Sequence, residues 1–316
     1  MQTLESCFGA DRALVFGIGG GGDIVGAIPT ARLLELHDVE VILGGVAFDR
    51  LVVDPVPGPR SLAELDGIER VSDSVALVTP ETQTEDGTPL TETAVERCTD
   101  RPVALLDITA GASGLGAGLE AACRTLDVDL VIGIDAGGDV LAAGDEPGLR
   151  SPLSDAITLA ALADCSIPTL IGMFGYGSDG ELTAEEIDEA IGRAARRDGL
   201  LGSWGLTPET VEEVESVLEA VTTEASRLPV EAASGQLGTR SIRDGRRTLE
   251  LCPASTTTFY LDPQSVFETS EPASLVADTD SHIAANSELN DAGYVTELDR
   301  ERRRANGRVE PTPKSD

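Results

Sequence analysis

Short apolar runs alternate with longer segments of helical periodicity along most of the chain. Six runs rich in aliphatic and β-branched residues predict strands, at 13–18, 39–43, 74–78, 102–108, 129–134 and 168–173. These runs are apolar throughout, which is typical of strands covered on both faces. The order of elements therefore predicts an α/β fold, a doubly wound and mostly parallel sheet with helices on both faces.

The second half of the chain carries further signals of regular structure. Thr183 and Glu186 form a capping box before an apolar helical stripe, and Thr207-Pro208 predicts the start of a second helix. Two late strands are predicted at "RRTLELC" and "TTTFYLD". From residue 296 apolar periodicity is lost, so a single α/β domain over 1–295 and a disordered tail over 296–316 are expected.

Two glycine-rich segments of the chain resemble each other. "VFGIGGGGDIVGA" (15–27) aligns without gaps on "VIGIDAGGDVLAA" (131–143), with seven of thirteen positions identical. Because strand, loop and following apolar residues all correspond, the alignment predicts two related half-units, about 10–128 and 129–262. Only two copies are visible, which argues against a solenoid.

The charge of the chain limits its partners. It has 56 acidic and 23 basic residues, a formal net charge of -33, and Lys314 as its only lysine. This balance is typical of a solvated surface in molar salt, and predicts a halophilic, archaeal cytoplasm. Nucleic acid is a poor partner for such a field. No apolar stretch approaches the roughly 20 residues of a membrane span and no signal segment is seen, so no membrane association is expected.

Several kinds of catalytic site are disfavoured. The five cysteines are scattered without a Cys-x-x-Cys pair, which argues against zinc and redox motifs. Lys314 lies in the expected tail, so neither a P-loop lysine nor a Schiff base is expected. His37 is interpreted as structural, and His282 lies in a polar C-terminal segment, so a histidine-centred triad is disfavoured. Carboxylates, arginines, hydroxyls, backbone amides and a metal remain.

Four predicted strands end in glycine-rich turns, at 17–23, 109–118, 133–139 and 172–181. In a parallel sheet these turns meet at the carboxyl edge, where ligands of open α/β folds bind. Glycine lets backbone amides approach a phosphate, and the following helix adds its positive end. The candidate cofactor-binding residues are Gly19, Gly20, Gly21, Gly22, Gly114, Gly137 and Gly138.

Aspartates at the same strand ends suggest a hard cation such as Mg²⁺. The candidate metal ligands are Asp23, Asp135 and Asp139, of which Asp23 and Asp139 occupy the same place in the two aligned segments. A loop aspartate is more often solvated or an N-cap than a ligand. Asp107 and Asp179 also lie at strand ends, and Asp107 and Asp135 are candidate catalytic residues.

Arginines could bind an anionic substrate. Arg150 is the third candidate catalytic residue, because it precedes a helix predicted to be capped by Ser151 with Pro152 at its first position. Arg50, which follows the "GGVAFD" turn, is another candidate, and Arg240 in a basic patch is a weaker one. Each arginine is more often a surface ion-pair residue.

The stretch "GIGGGG" also satisfies Gly-x-Gly-x-x-Gly, the pattern of dinucleotide-binding folds. The match is weak, because the second strand ends in glycines where that fold requires an acid, and Asp23 would repel a bare pyrophosphate. A nicotinamide-dependent oxidoreductase is therefore the alternative to a magnesium-dependent enzyme that binds a nucleotide or phosphorylated metabolite. A non-catalytic nucleotide or metabolite sensor is the third interpretation, and a homo-oligomer is left open.

At "GIGGGGDIVGA", "LLDITAGASGLGAG" and "GIDAGGDVLA…LRSPLSDA" the chain resembles an archaeal family known as domain of unknown function 1152. The resemblance covers most of residues 10–265. It implies an α/β protein of archaea, including halophiles, and brings no activity or catalytic residue with it.

Overall fold

The computed structural model of the protein describes residues 3–307, and all structural statements refer to them. Eleven strands are β1 Arg12–Gly17, β2 Glu40–Val46, β3 Leu65–Arg70, β4 Val75–Thr84, β5 Val103–Leu106, β6 Leu130–Ala136, β7 Thr169–Phe174, β8 Leu200–Gly205, β9 Gly238–Ile242, β10 Arg247–Leu251 and β11 Thr257–Leu261. Eleven α-helices are α1 Asp23–Glu35, α2 Thr91–Glu96, α3 Gly111–Leu126, α4 Pro152–Ala163, α5 Ala184–Ala195, α6 Pro208–Leu218, α7 Arg227–Ala233, α8 Pro263–Phe267, α9 Glu271–Val276, α10 His282–Asp291 and α11 Glu297–Ala305.

Nine strands form one mixed sheet in the order β3-β4-β5-β2-β1-β6-β7-β11-β8. Its five central strands, from β5 to β7, are parallel. The chain moves outward from β1 through β2 to β5, and then starts again on the other side of β1 with β6. The switch point of the sheet therefore lies between β1 and β6, where ligands of open α/β folds bind.

Two apolar cores cover the two faces of the sheet. Leu14 and Phe16 of β1 pack with α3 and α4 on one face, whereas Ala13 and Val15 pack with α1 and α6 on the other. Successive side chains of a strand point to opposite faces, so a strand apolar at every position needs both cores. The α/β fold with a mostly parallel central sheet and helices alongside is confirmed.

The strands outside the central five run differently from the prediction. β4 lies antiparallel to β5, because residues 71–74 join it to β3 as a hairpin that reverses the chain. β11 lies antiparallel between β7 and β8. The edge strands β3 and β8 were not predicted, because most of their side chains are not buried and leave no apolar run.

The C-terminal segment corrects a second expectation. Residues 297–305 form α11, with a capping box between Thr296 and Asp299 and with Glu297, Leu298 and Glu301 buried, so the disordered tail is wrong for this stretch. Apolar periodicity missed the helix because two of its three buried residues are glutamates. Residues 308–316, with Lys314, lie outside the described residues.

The hairpin of β9 and β10 forms a separate two-stranded antiparallel sheet. Ile242, Leu249 and Leu251 pack on Leu228 and Ala232 of α7 in a third, small apolar cluster. The hairpin is therefore attached to the body through its own core. No helix within residues 3–307 is both long and apolar enough to cross a membrane.

Candidate metal and anion site

The two glycine-rich segments that resemble each other lie side by side at the switch point. β1 and β6 pair in parallel, and the Ile18 amide donates to the Ile134 carbonyl at 2.9 Å just beyond the end of β1. The first segment continues into α1, whereas the second continues into a 3₁₀ turn at Asp139–Leu141. This difference sends the equivalent residues Asp23 and Asp139 into two separate groups of acids.

The first acidic cluster consists of Asp23, Asp135 and Asp155, which each place a carboxylate oxygen within 4.8 Å of the others. Asp23 begins α1, Asp135 lies in β6 and Asp155 lies in the first turn of α4. Asp135 and Asp155 are 1% and 4% exposed, and Asp23 is half-buried. Three separate elements thus bring carboxylates together, and Asp23 gives the group its access to solvent.

Few protein donors satisfy the first acidic cluster. The Gly19 amide donates to Asp23 Oδ2 at 2.9 Å, and the Val140 amide donates to Asp135 Oδ2 at 3.3 Å. Asp155 Oδ1 is buried without a hydrogen-bond partner among the described residues. Within the same residues none of the three forms an ion pair. Lone pairs therefore remain for a ligand.

Burial raises the pKa of Asp23 to about 7 and raises the pKa values of Asp135 and Asp155 well above the usual range. Repulsion from the neighbouring carboxylates adds to the effect for Asp135 and Asp155. A buried group of like charges is stabilised either by protons or by a cation.

The second acidic cluster consists of Asp139, Asp179 and Glu181, again within 4.8 Å of one another. Burial, followed by repulsion from neighbouring acids, raises the pKa of Asp139 well above its usual range and that of Asp179 to about 7. Asp179 Oδ2 has no hydrogen-bond partner among the described residues. The second acidic cluster thus has the same number of carboxylates as the first and is slightly more buried.

Glu181 distinguishes the second acidic cluster, because protein donors surround its carboxylate. The Ser151 hydroxyl (2.7 Å) and Arg247 Nη2 (3.1 Å) contact Oε1, while the amides of Arg150 and Ser151 donate to Oε2. Ser151 Oγ also donates to Asp139 Oδ2 at 3.1 Å. Both oxygens of Glu181 are therefore occupied by the protein itself.

The loop between β1 and α1 carries, beside the first acidic cluster, backbone amides without hydrogen-bond partners in the described chain, with Gly20 and Gly21 buried and Gly22 half-buried. Gly20 and Gly21 have φ values of 82° and 56°, which glycine adopts without strain. A Cβ atom on Gly20 would lie 2.5 Å from the Phe48 carbonyl oxygen. Within residues 3–307 the amides of Gly20, Gly21 and Gly22 make no hydrogen bond. These amides can bind an anion at the start of α1.

Arg50 adds a positive charge to this loop. Its guanidinium lies over the Phe48 ring, 4.8 Å from the centroid, and its Nη2 donates to the Gly19 carbonyl at 3.4 Å. Arg50 Nη1 is buried and has no hydrogen-bond partner in the described part of the chain. The guanidinium thus keeps donor capacity beside the glycine loop.

A family model described as "Protein of unknown function (DUF1152)" matches residues 14–305, which include both acidic clusters and the glycine loop. The chain belongs to the DUF1152 family. No curated protein and no solved structure matches it. The function of this DUF1152 protein is therefore argued from its side chains.

The other candidates from the sequence lie in varied settings. Asp107 accepts hydrogen bonds from the amides of Leu62 (2.8 Å) and Thr109 (2.7 Å) and thereby organises the turn after β5. Arg150 contributes its amide to Glu181, and its half-buried side chain makes no hydrogen bond or ion pair within residues 3–307. In this DUF1152 protein the contacts of Asp107 and of the Arg150 amide therefore stabilise the fold, and neither contact requires a ligand.

The candidate glycines also divide. Gly19 lies against Asp23 and Asp155, while Gly114 lies inside α3 with no room for a Cβ beside Ala110. A Cβ on Gly137 would overlap the Asp179 carboxylate, and one on Gly138 would lie 3.1 Å from Met173 Sδ. Gly137 and Gly138 therefore provide close packing around the second acidic cluster.

Three site residues were missed from the sequence: Asp155, Glu181 and Glu297. Asp155 lies just after the predicted helix start at Ser151-Pro152, but only the folded structure places it opposite Asp23. Ser151 is the N-cap residue of α4 with Pro152 after it, as predicted, but its side chain makes no capping bond and contacts the second acidic cluster instead. Glu297 of α11 accepts from the amides of Leu153 (3.1 Å) and Ser154 (2.9 Å) in its place.

Proposed function

We propose that this DUF1152 protein is a divalent-metal-dependent enzyme that acts on a nucleotide or another phosphorylated metabolite. The observation that supports this most is the position of the first acidic cluster. Its three carboxylates, which form no ion pair in the described chain, lie at the switch point beside amides that make no hydrogen bond there. Oxygen ligands from several loops suit Mg²⁺, which keeps waters and binds substrate phosphates.

Each group has a separate role in this proposal. Asp23, Asp135 and Asp155 would hold the cation, and the amides of residues 20–22 with Arg50 would bind a phosphate. A cation between Asp23 and the phosphate removes the repulsion that would otherwise oppose binding. Asp23 is the ligand shared with solvent, so it would contact both the cation and the arriving substrate.

One observation favours the alternative of an NAD(P)-dependent oxidoreductase. The central strand order β5-β2-β1-β6-β7 follows the 3-2-1-4-5 arrangement of dinucleotide-binding sheets. Asp23 weighs against it, and so does the end of β2, which is Gly44-Gly45-Val46 and carries no acid. A non-catalytic nucleotide sensor would use the same phosphate and cation contacts, and differs only in showing no turnover.

A thermal-unfolding screen in molar KCl tests the proposal. Nucleotides and sugar phosphates are added with and without MgCl₂ or MnCl₂, and a ligand at 100 times its dissociation constant adds roughly 2.7 kcal/mol. We expect stabilisation that requires the cation and is lost in Asp155→Asn. Glu212→Gln, on the exposed face of α6, is the control. Stabilisation by NAD(P) alone would favour the oxidoreductase, and absence of turnover of every stabilising ligand would favour the sensor.

A second variant tests the phosphate contact separately. Gly21→Ala places a Cβ at a positive φ beside the amides, and should weaken phosphate binding with or without the cation. Gly87→Ala is the matched control, because Gly87 has a φ of 85° and open space around it, so that backbone strain is common to both variants. Equal binding by the two variants would remove the glycine loop from the proposal.

The charge balance supports a further part of the proposal, a home in the salt-rich cytoplasm of a halophilic archaeon. At a net charge of -33, unscreened carboxylates repel one another and oppose the compact state. Circular dichroism at falling KCl should show loss of structure well below molar salt. Full structure at about 0.1 M, where the Debye length is near 10 Å, would contradict it.

A further inference from the structure

The tip of the β9–β10 hairpin is tethered beside the glycine loop. Ser226 Oγ donates to the Gly22 carbonyl at 2.9 Å, and Thr223 fills the space that a Cβ on Gly22 would occupy. Glu224 lies between these two residues and accepts from the Arg243 amide at 3.1 and 3.2 Å. The segment 223–226 therefore connects the loop directly to Arg243.

The same tip is also anchored at the second acidic cluster through Arg247, the first residue of β10, which pairs with Ile242 across the turn. Arg247 Nη1 donates to the Asp179 carbonyl at 2.8 Å, and Nη2 contacts Glu181 Oε1 at 3.1 Å. The tip thus contacts both the segment beside the glycine loop and the second acidic cluster, and Arg243 lies in the turn that makes these two contacts.

The Arg243 guanidinium keeps unused donors. Its one ion pair in the described chain is with Glu224 Oε2 at 3.6 Å, and its guanidinium makes no hydrogen bond within residues 3–307. Its side chain is 44% exposed, which leaves it accessible to a ligand. Burial and the nearby charges of Arg247 and Arg50 lower the pKa of Arg243. Repulsion among these guanidinium groups is relieved when an anion lies between them.

We propose that Arg243 forms an outer anion subsite, which binds the second phosphate of a diphosphate group whose first phosphate lies on the glycine-loop amides and Arg50. This inference rests on the proposed function and narrows its substrate class to compounds with linked phosphates. Asp23 and its cation lie beside the first phosphate. Arg243 of the hairpin thus provides the additional contact by which the protein binds a diphosphate more tightly than a monophosphate.

Calorimetric titration with pyrophosphate and orthophosphate, in MgCl₂ and molar KCl, tests the subsite. We expect the wild type to bind pyrophosphate about tenfold or more tightly than orthophosphate, as one added charge-assisted contact provides. Arg243→Ala should remove this preference and leave orthophosphate affinity unchanged. Arg243→Lys keeps the charge and should keep part of the preference, and circular dichroism verifies the fold of each variant.

Arg240→Ala is the matched control, since Arg240 lies on β9 of the same hairpin and pairs with Glu231 at 3.8 Å. It should keep the full preference for pyrophosphate. ADP against AMP shows whether the diphosphate is accepted as part of a nucleotide, and a preference for either diphosphate that Arg243→Ala abolishes supports the subsite. Equal affinities for pyrophosphate and orthophosphate in the wild type, or a preference that survives Arg243→Ala, would overturn the subsite alone. Absence of any Mg²⁺-dependent anion binding would overturn the proposed function with it.

Discussion

The two acidic clusters have the same size and nearly the same burial, yet the protein treats their charges differently. In the second acidic cluster, Glu181 is surrounded by a hydroxyl, a guanidinium and two amides. In the first acidic cluster, Asp155 Oδ1 has no partner in the described chain, while the Gly19 amide donates to Asp23 and the Val140 amide donates to Asp135. Each cluster keeps one buried carboxylate oxygen without a partner among the described residues, Asp155 Oδ1 and Asp179 Oδ2, but only the second contains an acid, Glu181, whose two oxygens are both bonded by the protein. The first acidic cluster therefore retains more capacity for a cation.

This difference follows from where the donors come from. Arg247 reaches the second acidic cluster from β10, whereas Arg50 approaches the first from the loop after β2 but bonds to the Gly19 carbonyl instead of a carboxylate. Buried charge costs several kcal/mol unless it is paired. A structural network of acids therefore differs from a ligand site in whether protein donors already bond to the carboxylate oxygens, and not in the number of acids.

The largest expected effect is on stability, at Glu181. Glu181→Ala leaves Arg247, the Ser151 hydroxyl and two amides without their acceptor, so the free energy of unfolding should fall by about 3 kcal/mol. Urea denaturation in molar KCl measures it. Glu231→Ala, which removes the partially exposed partner of Arg240, should cost less than about 1 kcal/mol. A similar small loss for both variants would mean that Glu181 does not hold the second acidic cluster together.

The next effect is the stabilisation by Mg²⁺ or Mn²⁺. Asp155→Asn should abolish it, a loss of roughly 2.7 kcal/mol at saturating cation, while the cation-free protein keeps or gains stability because a buried like charge is removed. Asp179→Asn in the second acidic cluster should retain the stabilisation. Thermal unfolding with and without the cation measures both, and the reverse pattern would exchange the roles of the two clusters.

The effect of pH on cation binding should be smaller than the effect of Asp155→Asn. Burial raises the pKa of Asp23 from 3.8 to about 7, so the folded protein holds this proton while the unfolded chain loses it. The stability of the cation-free protein should therefore decrease as pH rises from about 4 to about 7. A cation displaces the proton, so Mn²⁺ affinity below pH 7 should rise about tenfold per pH unit for each proton released. Titration at pH 6 and pH 8 measures this, and equal affinities would contradict it.

The smallest effect is expected at Ser151. Ser151→Ala removes the hydroxyl that donates to Asp139 and Glu181, and should lower the free energy of unfolding by about 1 kcal/mol. Mn²⁺ affinity should stay within twofold of wild type, because the first acidic cluster is untouched. Weakened Mn²⁺ binding would show that the two clusters act as one site.

Local patterns revealed the central sheet and part of the site. Continuous apolar runs mark strands buried on both faces, and the aligned glycine segments identified the two neighbouring turns that carry Asp23, Asp135 and Asp139. Their equivalence misled in one respect: α1 begins directly at Asp23, while Asp139 enters a 3₁₀ turn. Because the backbone that follows the two aligned segments differs in this way, Asp23 and Asp139 lie in different acidic clusters.

The remaining site residues depend on contacts between distant parts of the chain. Asp155 joins the first acidic cluster only because α4 packs beside β6, and Arg247 meets Glu181 through a hairpin that follows more than sixty residues later. The aspartates of an acidic chain offer too many candidates for any spacing rule. Candidate ligands can be distinguished from the other aspartates only by the positions of the surrounding hydrogen-bond donors, and these positions are known only from the folded structure.

The contact between Glu297 and the start of α4 has a consequence for how the protein is made. Leu153 lies 144 residues before Glu297, so the amides at the start of α4 remain without their acceptor until those residues have been synthesised. The same turn carries Asp155, and the neighbouring Ser154 hydroxyl bonds to the Ile18 carbonyl at 2.5 Å. A nascent chain can thus assemble β1 through β7 while the first acidic cluster is still imperfectly held. The site is complete only after α11 has been synthesised and has docked against the start of α4.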